Sequence, residues 1–318
     1  MKTAFKKYGR KDNSDLCKLM LLNDSGMEVK ILNYGATLEK VLLSGDDLIL
    51  SLNSPADYSK ERNFLGGTVG RICGRVYQGK WQLGANILQL LQNDGENHIH
   101  GGIGLDMQVW NFKLYAGSQV AQADLTLVDP DGNNGYPGNL KLHAIYELDN
   151  DNNLRYELIA VSDKMTIFNP ANHTYFTLGE KARDLKMQLN ADYYLPVGED
   201  GLPNQGMKSV DQTAFDFRKA KKIGEALTSS DKPFILNGNQ PAATLIGENH
   251  QMTMTTNAPA IVTYTANHFN HTGVANNIGQ YDGITLEAQC PPSENSDLGE
   301  ITLLPFEKFD RKICWSFK

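Results

Sequence analysis

Leu140-Lys141-Leu142-His143-Ala144-Ile145-Tyr146-Glu147-Leu148 sets Leu140, Leu142, Ala144, Tyr146 and Leu148 alternately with Lys141, His143 and Glu147. A period of two puts successive side chains on opposite faces of an extended chain, so the stretch reads as a half-buried strand. Leu154, Tyr156, Leu158 and Ala160 repeat the pattern. Between the two runs lies Asp149-Asn150-Asp151-Asn152-Asn153, a string of turn formers. The pair predicts an antiparallel hairpin.

Strand signals continue outward in both directions. Before the hairpin they fall at 28–32, 48–52, 87–91, 109–115 and 125–128; after it, at 185–189, 252–256, 261–265, 284–290 and 313–317. Residues 131–138 form a loop rich in Gly and Asn, which tolerate positive φ. Helical periodicity is confined to 216–226, where a turn or two is predicted, with Asp216 placed to cap it. Short strands cut by Gly, Asn and Asp predict an all-β antiparallel architecture. With no repeat, linker or low-complexity tract, residues 1–318 are expected to form a single domain.

The totals exclude several classes of function. The chain is 41% hydrophobic and 21% charged, the composition of an ordinary globular protein. The net charge is −7 and no basic cluster stands out, so a nucleic-acid partner is not expected. No apolar run is long enough to span a bilayer, and the lysine-bearing start has no apolar core of a leader, so neither membrane nor export is expected. Cys17, Cys73, Cys290 and Cys314 are scattered, with no CxxC, which reads as reduced thiols in a cytoplasmic protein.

Five places carry polar residues suited to chemistry. Gly66 to Arg75 contains Gly70-Arg71 and Gly74-Arg75, glycine-rich but without the spacing or following helix of a phosphate loop. At least one arginine is expected to meet a ligand. His98 and His100 stand two apart, on one face if extended. Such a pair can begin a metal site, but no further ligand follows at suitable spacing, so no metal is expected. One surface histidine and one site histidine is the economical reading. Asn172-His173-Thr174-Tyr175-Phe176 places an imidazole among polar and aromatic groups, where it can exchange protons near neutral pH. Asp231 reads in isolation as a loop residue. In 284–290, Ile284, Leu286, Ala288 and Cys290 form an apolar back, and Thr285, Glu287 and Gln289 a polar front. That strand suits the wall of a polar cleft, with Glu287 as its lone carboxylate. His268 and His271 read as loop residues.

Taken in order, Gly70-Arg71…Arg75, His98-Ile99-His100-Gly101-Gly102, the 131–138 loop, Asn172 to Phe176 and Leu286-Glu287-Ala288-Gln289 resemble the aldose 1-epimerases, or galactose mutarotases. Asn33-Tyr34-Gly35-Ala36, Trp110, Pro196-Val197-Gly198-Glu199 and Thr213-Ala214-Phe215-Asp216-Phe217 match as well. The resemblance covers nearly the whole chain. It implies a large antiparallel β-supersandwich, galactose mutarotase-like, with few short helices and an open sugar cleft. It implies that His173 is a general acid and Glu287 a general base. Arg75 and His100 would hold the sugar near the reacting centre, and Asp231 its hydroxyls. Beside these, Arg71, Tyr175 and Gln289 are expected as further substrate contacts.

The chain departs from the family pattern in three places: Gly74 replaces an Asn, Lys232-Pro233 a His-Asn, and Val262 a Gln. All three concern sugar contacts, so the implied chemistry is better carried than the identity of the sugar. The expected reaction is interconversion of hexose anomers by ring opening and reclosure, with no cofactor, in a monomer or homodimer. The alternatives are a mutarotase for a hexose 6-phosphate, with Arg71 and Lys232 on the phosphate, or for an oligosaccharide; a non-catalytic sugar-binding protein; and a glycosidase using Asp231 with Glu287.

Overall fold

In the computed structural model, which describes residues 1–224, 226–227, 231–293 and 295–318, the alternating stretches become strands Leu140–Asp149 and Asn153–Ser162. They pair antiparallel with Tyr146 opposite Tyr156. Both rings are buried, and their centroids lie 4.8 Å apart. This hairpin sits inside a nine-stranded sheet. The spatial order is Asn111–Ala116, Val120–Asp129, Leu140–Asp149, Asn153–Ser162, Phe309–Phe317, Gln251–Thr256, Ala243–Ile246, Lys186–Leu189 and Lys221–Lys222.

A six-stranded sheet carries the polar-fronted strand. Its order is Tyr175–Phe176, Ile284–Gln289, Ala260–Tyr264, Lys232–Leu236, Ala191–Tyr194 and Lys208–Ser209. A third sheet of five strands is built from the first 47 residues, beginning with the hairpin Lys2–Lys11 and Ser14–Leu22. One hydrophobic core takes residues from all three: Tyr146 and Trp315, Ile261 and Leu286, Leu19 and Val41. The all-β antiparallel architecture expected from the sequence is therefore the observed one. Its helical content is limited to short 3₁₀ turns among the described residues.

Three local readings change. Residues 48–52 are not a strand; Ile49 makes only an isolated bridge to Phe176. The stretch crosses between sheets, its backbone bonded to Val41 on one side and to Tyr175 and Thr177 on the other. At 216–226 no helix forms among the described residues (225 lies outside them): Asp216 takes the guanidinium of Arg218, Phe217 enters the core, and Lys221–Lys222 adds an edge strand. The N-terminal hairpin went unread because Lys2–Lys11 faces solvent along most of its length, with lysines where an apolar alternation would be sought. Its signal lay in the turn: Asp12 and Asn13 both take positive φ, 46° and 64°, as a two-residue hairpin turn requires.

Candidate active site

Sequence places His173 on a short connector between two paired segments. Ala171–Asn172 pairs with Thr68–Val69, and Tyr175–Phe176 pairs with Ile284 and Thr285 on the edge of the six-stranded sheet. The backbone at 173 is held from both sides, its N–H donating to Gly67 O at 2.9 Å and its carbonyl accepting from Gly66 N at 3.1 Å. Asn172 fixes the connector to the central sheet, donating to the Tyr146 hydroxyl at 2.9 Å and accepting from Thr174 Oγ1 at 2.6 Å. Asn169 clamps the end of the neighbouring strand, donating to Cys290 O and accepting from Cys290 N. The imidazole is thus presented on a frame with little freedom to move.

Its ring faces Glu287. Nε2 of His173 lies 3.2 Å from Oε1 of Glu287, and both side chains are buried. The carboxylate accepts from Thr285 Oγ1 at 3.0 Å, from Gln289 Nε2 at 3.2 Å and from Cys73 Sγ at 3.3 Å. Thr285, Glu287 and Gln289 are the polar front predicted for this strand, while Leu286 and Ala288 enter the core behind it.

Burial disfavours charge on both members of the pair. It pushes Glu287 up to about 8, with the charge of Asp231 adding to the shift, and drives His173 down to about 3. These directions place one proton on the pair across neutral pH. Burial and the charge of Asp231, outweighing the Thr285 and Cys73 donors, put it on Glu287; passing it across the Nε2–Oε1 contact gives the carboxylate–imidazolium form. Both forms hold the same proton count, so the pair titrates as a unit.

The pair forms the floor of an open cleft of about 560 Å³. Arg75, His100, Tyr175, Asp231 and Gln289 line it together with His173 and Glu287. Nε of Arg75 donates to Asp94 at 2.6 Å, and its Nη1 stands 3.7 Å from Asp231. Nδ1 of His100 accepts the Gly74 N–H at 3.1 Å. That leaves the neutral ring's proton on Nε2, free to donate to a ligand oxygen. Burial, then the neighbouring His173, holds His100 well below the usual histidine range. The turn that carries it needs glycine at 101: φ there is +73°, and a Cβ would meet Gly70 O at 1.7 Å. Tyr175 packs its ring 5.2 Å from that of His173.

Two sequence readings are corrected. Arg71 does not face the cleft. It is buried, with Nε on Asp129 at 2.6 Å and Nη groups donating to the carbonyls of Pro137 and Gly138 at 2.8 Å each. Glycine-rich sequence around an arginine looks the same whether the guanidinium meets a ligand or ties loops together. His98 is not a surface histidine either: it is fully buried between Leu91 O and the Tyr136 hydroxyl, each at 2.6 Å. Arg71→Met is expected to lower stability by about 3–5 kcal/mol, because it strands a buried carboxylate and several carbonyls. An unchanged urea midpoint would refute that structural role.

The structure also brings in residues that sequence reasoning passed over. His268 lines the cleft, its ring stacked on Tyr264 at 5.6 Å and its Nδ1 at 2.8 Å from the tyrosine hydroxyl. Tyr264 lies two residues beyond Val262 on the same strand, so the period of two was the available signal. Phe64 lines the cleft beside both histidines, 4.7 Å from His100 and 5.8 Å from His173. Arg62 supports the same wall, donating to His100 O at 2.7 Å and to Asp106.

The three family departures have places too. Glu287, Val262 and Pro233 sit opposite one another across three strands, and Gly74, Val262 and Pro233 all line the cleft. Lys232 does not line it; its ammonium lies 5.5 Å from the Phe215 ring. Arg75 is thus the one lysine or arginine lining the cleft among the described residues.

Comparison with known proteins finds relatives along nearly the whole chain. A family model described as aldose 1-epimerase matches residues 18–313. The crystal structure of a galactose 1-epimerase from Lactobacillus acidophilus NCFM is 67% identical, covers 100% of this chain and 98% of its own, and superposes with a TM-score of 0.98. The aldose 1-epimerase of Haemophilus influenzae is 32% identical over 307 residues, 90% of this chain and 89% of its own. That of Lactobacillus helveticus is 66% identical over 129 residues, 41% of this chain and all of its own length.

Proposed function

Because the chain belongs to the aldose 1-epimerase family, isomerases that interconvert sugar anomers, we propose that His173 and Glu287 are its acid–base pair. The observation that carries this reading is the 3.2 Å contact between two buried side chains that line the cleft.

Mutarotation removes the proton from the C1 hydroxyl and places one on the ring oxygen. The C1–O5 bond opens to a free aldehyde, C1 turns about its bond to C2, and attack of the O5 hydroxyl on either face of the carbonyl closes the ring. Electrons and protons balance with no oxidant. Glu287 takes the C1 hydroxyl proton, and Nε2–H of His173 gives one to O5. On reclosure both transfers reverse. A sugar entering between the two side chains replaces their direct contact, its C1 hydroxyl donating to the carboxylate and its O5 accepting from Nε2–H, and so holds the carboxylate–imidazolium form. His100, with its Nε2–H, and Arg75 stabilise negative charge developing on oxygen. Asp231 accepts hydrogen bonds from sugar hydroxyls, and Tyr175 and Gln289 hold the imidazole and carboxylate in place.

The sugar is D-galactose or a close hexose relative. The support is the galactose 1-epimerase at 67% identity and a cleft that offers a single lysine or arginine among the described residues. A phosphate reading that called on Arg71 and Lys232 loses both groups, since neither lines the cleft. Polarimetry of freshly dissolved α-galactose, α-glucose, maltose and a hexose 6-phosphate tests this. Preference for the phosphorylated sugar would overturn the assignment.

Activity depends on the pair holding one proton. It gains a second as pH falls toward about 3, and the base is lost; it gives up its only proton above about 8, and the acid is lost. Enzyme-dependent kcat/KM, after subtraction of spontaneous mutarotation, is therefore expected to be flat near neutrality and to fall on the alkaline side of about pH 8. A rate still climbing at pH 10 would contradict a shared proton.

The remaining features of the reading are a single-domain cytoplasmic protein, monomeric or homodimeric, with a sugar as its partner and no part for nucleic acid. The family match across residues 18–313 and the net charge of −7 support it. Among the described residues no helix is long and apolar enough to cross a membrane.

A further inference from the structure

Cys73 is unused by the mechanism, yet its sulfur touches the centre of it. The thiol is buried, 3.3 Å from Oε2 of Glu287, and Oε1 of that carboxylate is 3.2 Å from Nε2 of His173. Ligand-type atoms of Cys73, His173 and Glu287 all lie within 4.8 Å of one another. Among the described residues this is the one place where three such groups converge. We propose that Cys73, His173 and Glu287 form an inhibitory site for a borderline-soft divalent cation such as Zn²⁺, which silences the enzyme by occupying its acid and its base together.

The chemistry matches. Zinc takes thiolate, imidazole and carboxylate at about 2.0–2.3 Å in a tetrahedron, which sets ligand atoms about 3.3–3.8 Å apart. The His173–Glu287 separation already lies close to that spacing, and rotation of the thiol and the carboxylate within the 4.8 Å cluster completes three corners. The fourth faces the cleft, where water or a sugar hydroxyl can bind. Thr285 Oγ1 and Gln289 Nε2 orient the carboxylate as outer partners.

One feature separates this from a site that holds its metal permanently. Nδ1 of His173 is buried without a hydrogen-bond partner, whereas a resident zinc histidine donates from its second nitrogen. Binding is accordingly reversible, and the metal acts as a brake and not as a cofactor. Coordination displaces the thiol proton and the pair's shared proton, so about two protons leave per ion.

Binding stands on the geometry alone; inhibition rests on the acid–base reading above. The whole protein, purified in chelator and exchanged into a non-coordinating buffer, is titrated with Co²⁺ and then Zn²⁺. Cobalt is expected to give a thiolate charge-transfer band in the near ultraviolet that Zn²⁺ removes. The polarimetric rate should fall along the same Zn²⁺ curve and recover with EDTA. Cys73→Ser and Cys73→Ala, each compared with its own metal-free rate, should lose the band and need at least about tenfold more Zn²⁺ for half inhibition. His143→Gln, a partly exposed histidine elsewhere, should leave the curve unchanged. Absence of the band, or equal Zn²⁺ sensitivity in both Cys73 variants, overturns the site and leaves the acid–base pair standing. A normal band with a rate indifferent to Zn²⁺ overturns inhibition.

Discussion

Glu287→Gln is expected to slow enzyme-dependent anomer interconversion by at least about 10²-fold, the low end of what one positioned proton acceptor contributes. That corresponds to roughly 3 kcal/mol on the barrier. The fold should not suffer. The new amide can put its oxygen where Oε2 accepts from Gln289 and Cys73, and its NH₂ where Oε1 meets Thr285 and His173. Neutral His173 accepts from that NH₂ through Nε2. Stability supplies a second readout with a definite sign. The pKa of Glu287 is raised in the folded state to about 8 from an ordinary 4.5, so its protonated form favours folding. That contribution is complete below the unfolded value and is lost as pH rises through about 8. The wild type should therefore weaken relative to Glu287→Gln across that window. Polarimetry within tenfold of wild type, in a variant with an intact urea transition, would remove Glu287 from the chemistry.

The strands that form the walls were legible because burial on one face leaves a period of two. The 140–160 hairpin and the 284–289 strand are of this kind, and the second exposed the base by setting Glu287 between Thr285 and Gln289 on one face. Solvent-facing strands leave no such trace, as Lys2–Lys11 shows. Within the site, His173, Arg75, His100 and Asp231 were located by family motifs and not by spacing, and the structure brings all four to the cleft. Arg71 was misplaced because sequence does not record where a guanidinium points. Its neighbour by motif, Arg75, differs only in which way the loop delivers it. Asp94, Phe64 and His268 were missed for the complementary reason: each reaches the cleft from its own loop, and only the tertiary fold brings those loops together. The Cys73–Glu287 contact joins residues 214 positions apart, beyond what any local pattern reports.

His173→Asn should also lose at least about 10²-fold in enzyme-dependent rate, since Asn is a far weaker proton donor to the ring oxygen. The more telling result is the direction of the residual pH dependence. Burial alone would leave the shared proton on Glu287, which admits the opposite assignment, with Glu287 as acid and neutral His173 as base. The two assignments predict opposite slopes in this variant. If Glu287 is the base, the residual reaction needs it as a carboxylate, with water supplying the other proton. The rate then rises with pH and levels off above the apparent pKa of Glu287, about 8 in the wild type. If Glu287 were the acid, the residual rate would fall through the same range. Glu287→Gln gives the mirror image: with His173 as acid, its remaining activity should grow as pH falls and the imidazole takes a proton. Frame effects are separable. The connector at 173 is held by backbone bonds to Gly66 and Gly67 and by Asn172 to Tyr146, none of which involves the imidazole. An unchanged KM for galactose with a lowered kcat would accordingly place the loss in proton transfer, and a falling alkaline limb in His173→Asn would reverse the roles of the two residues.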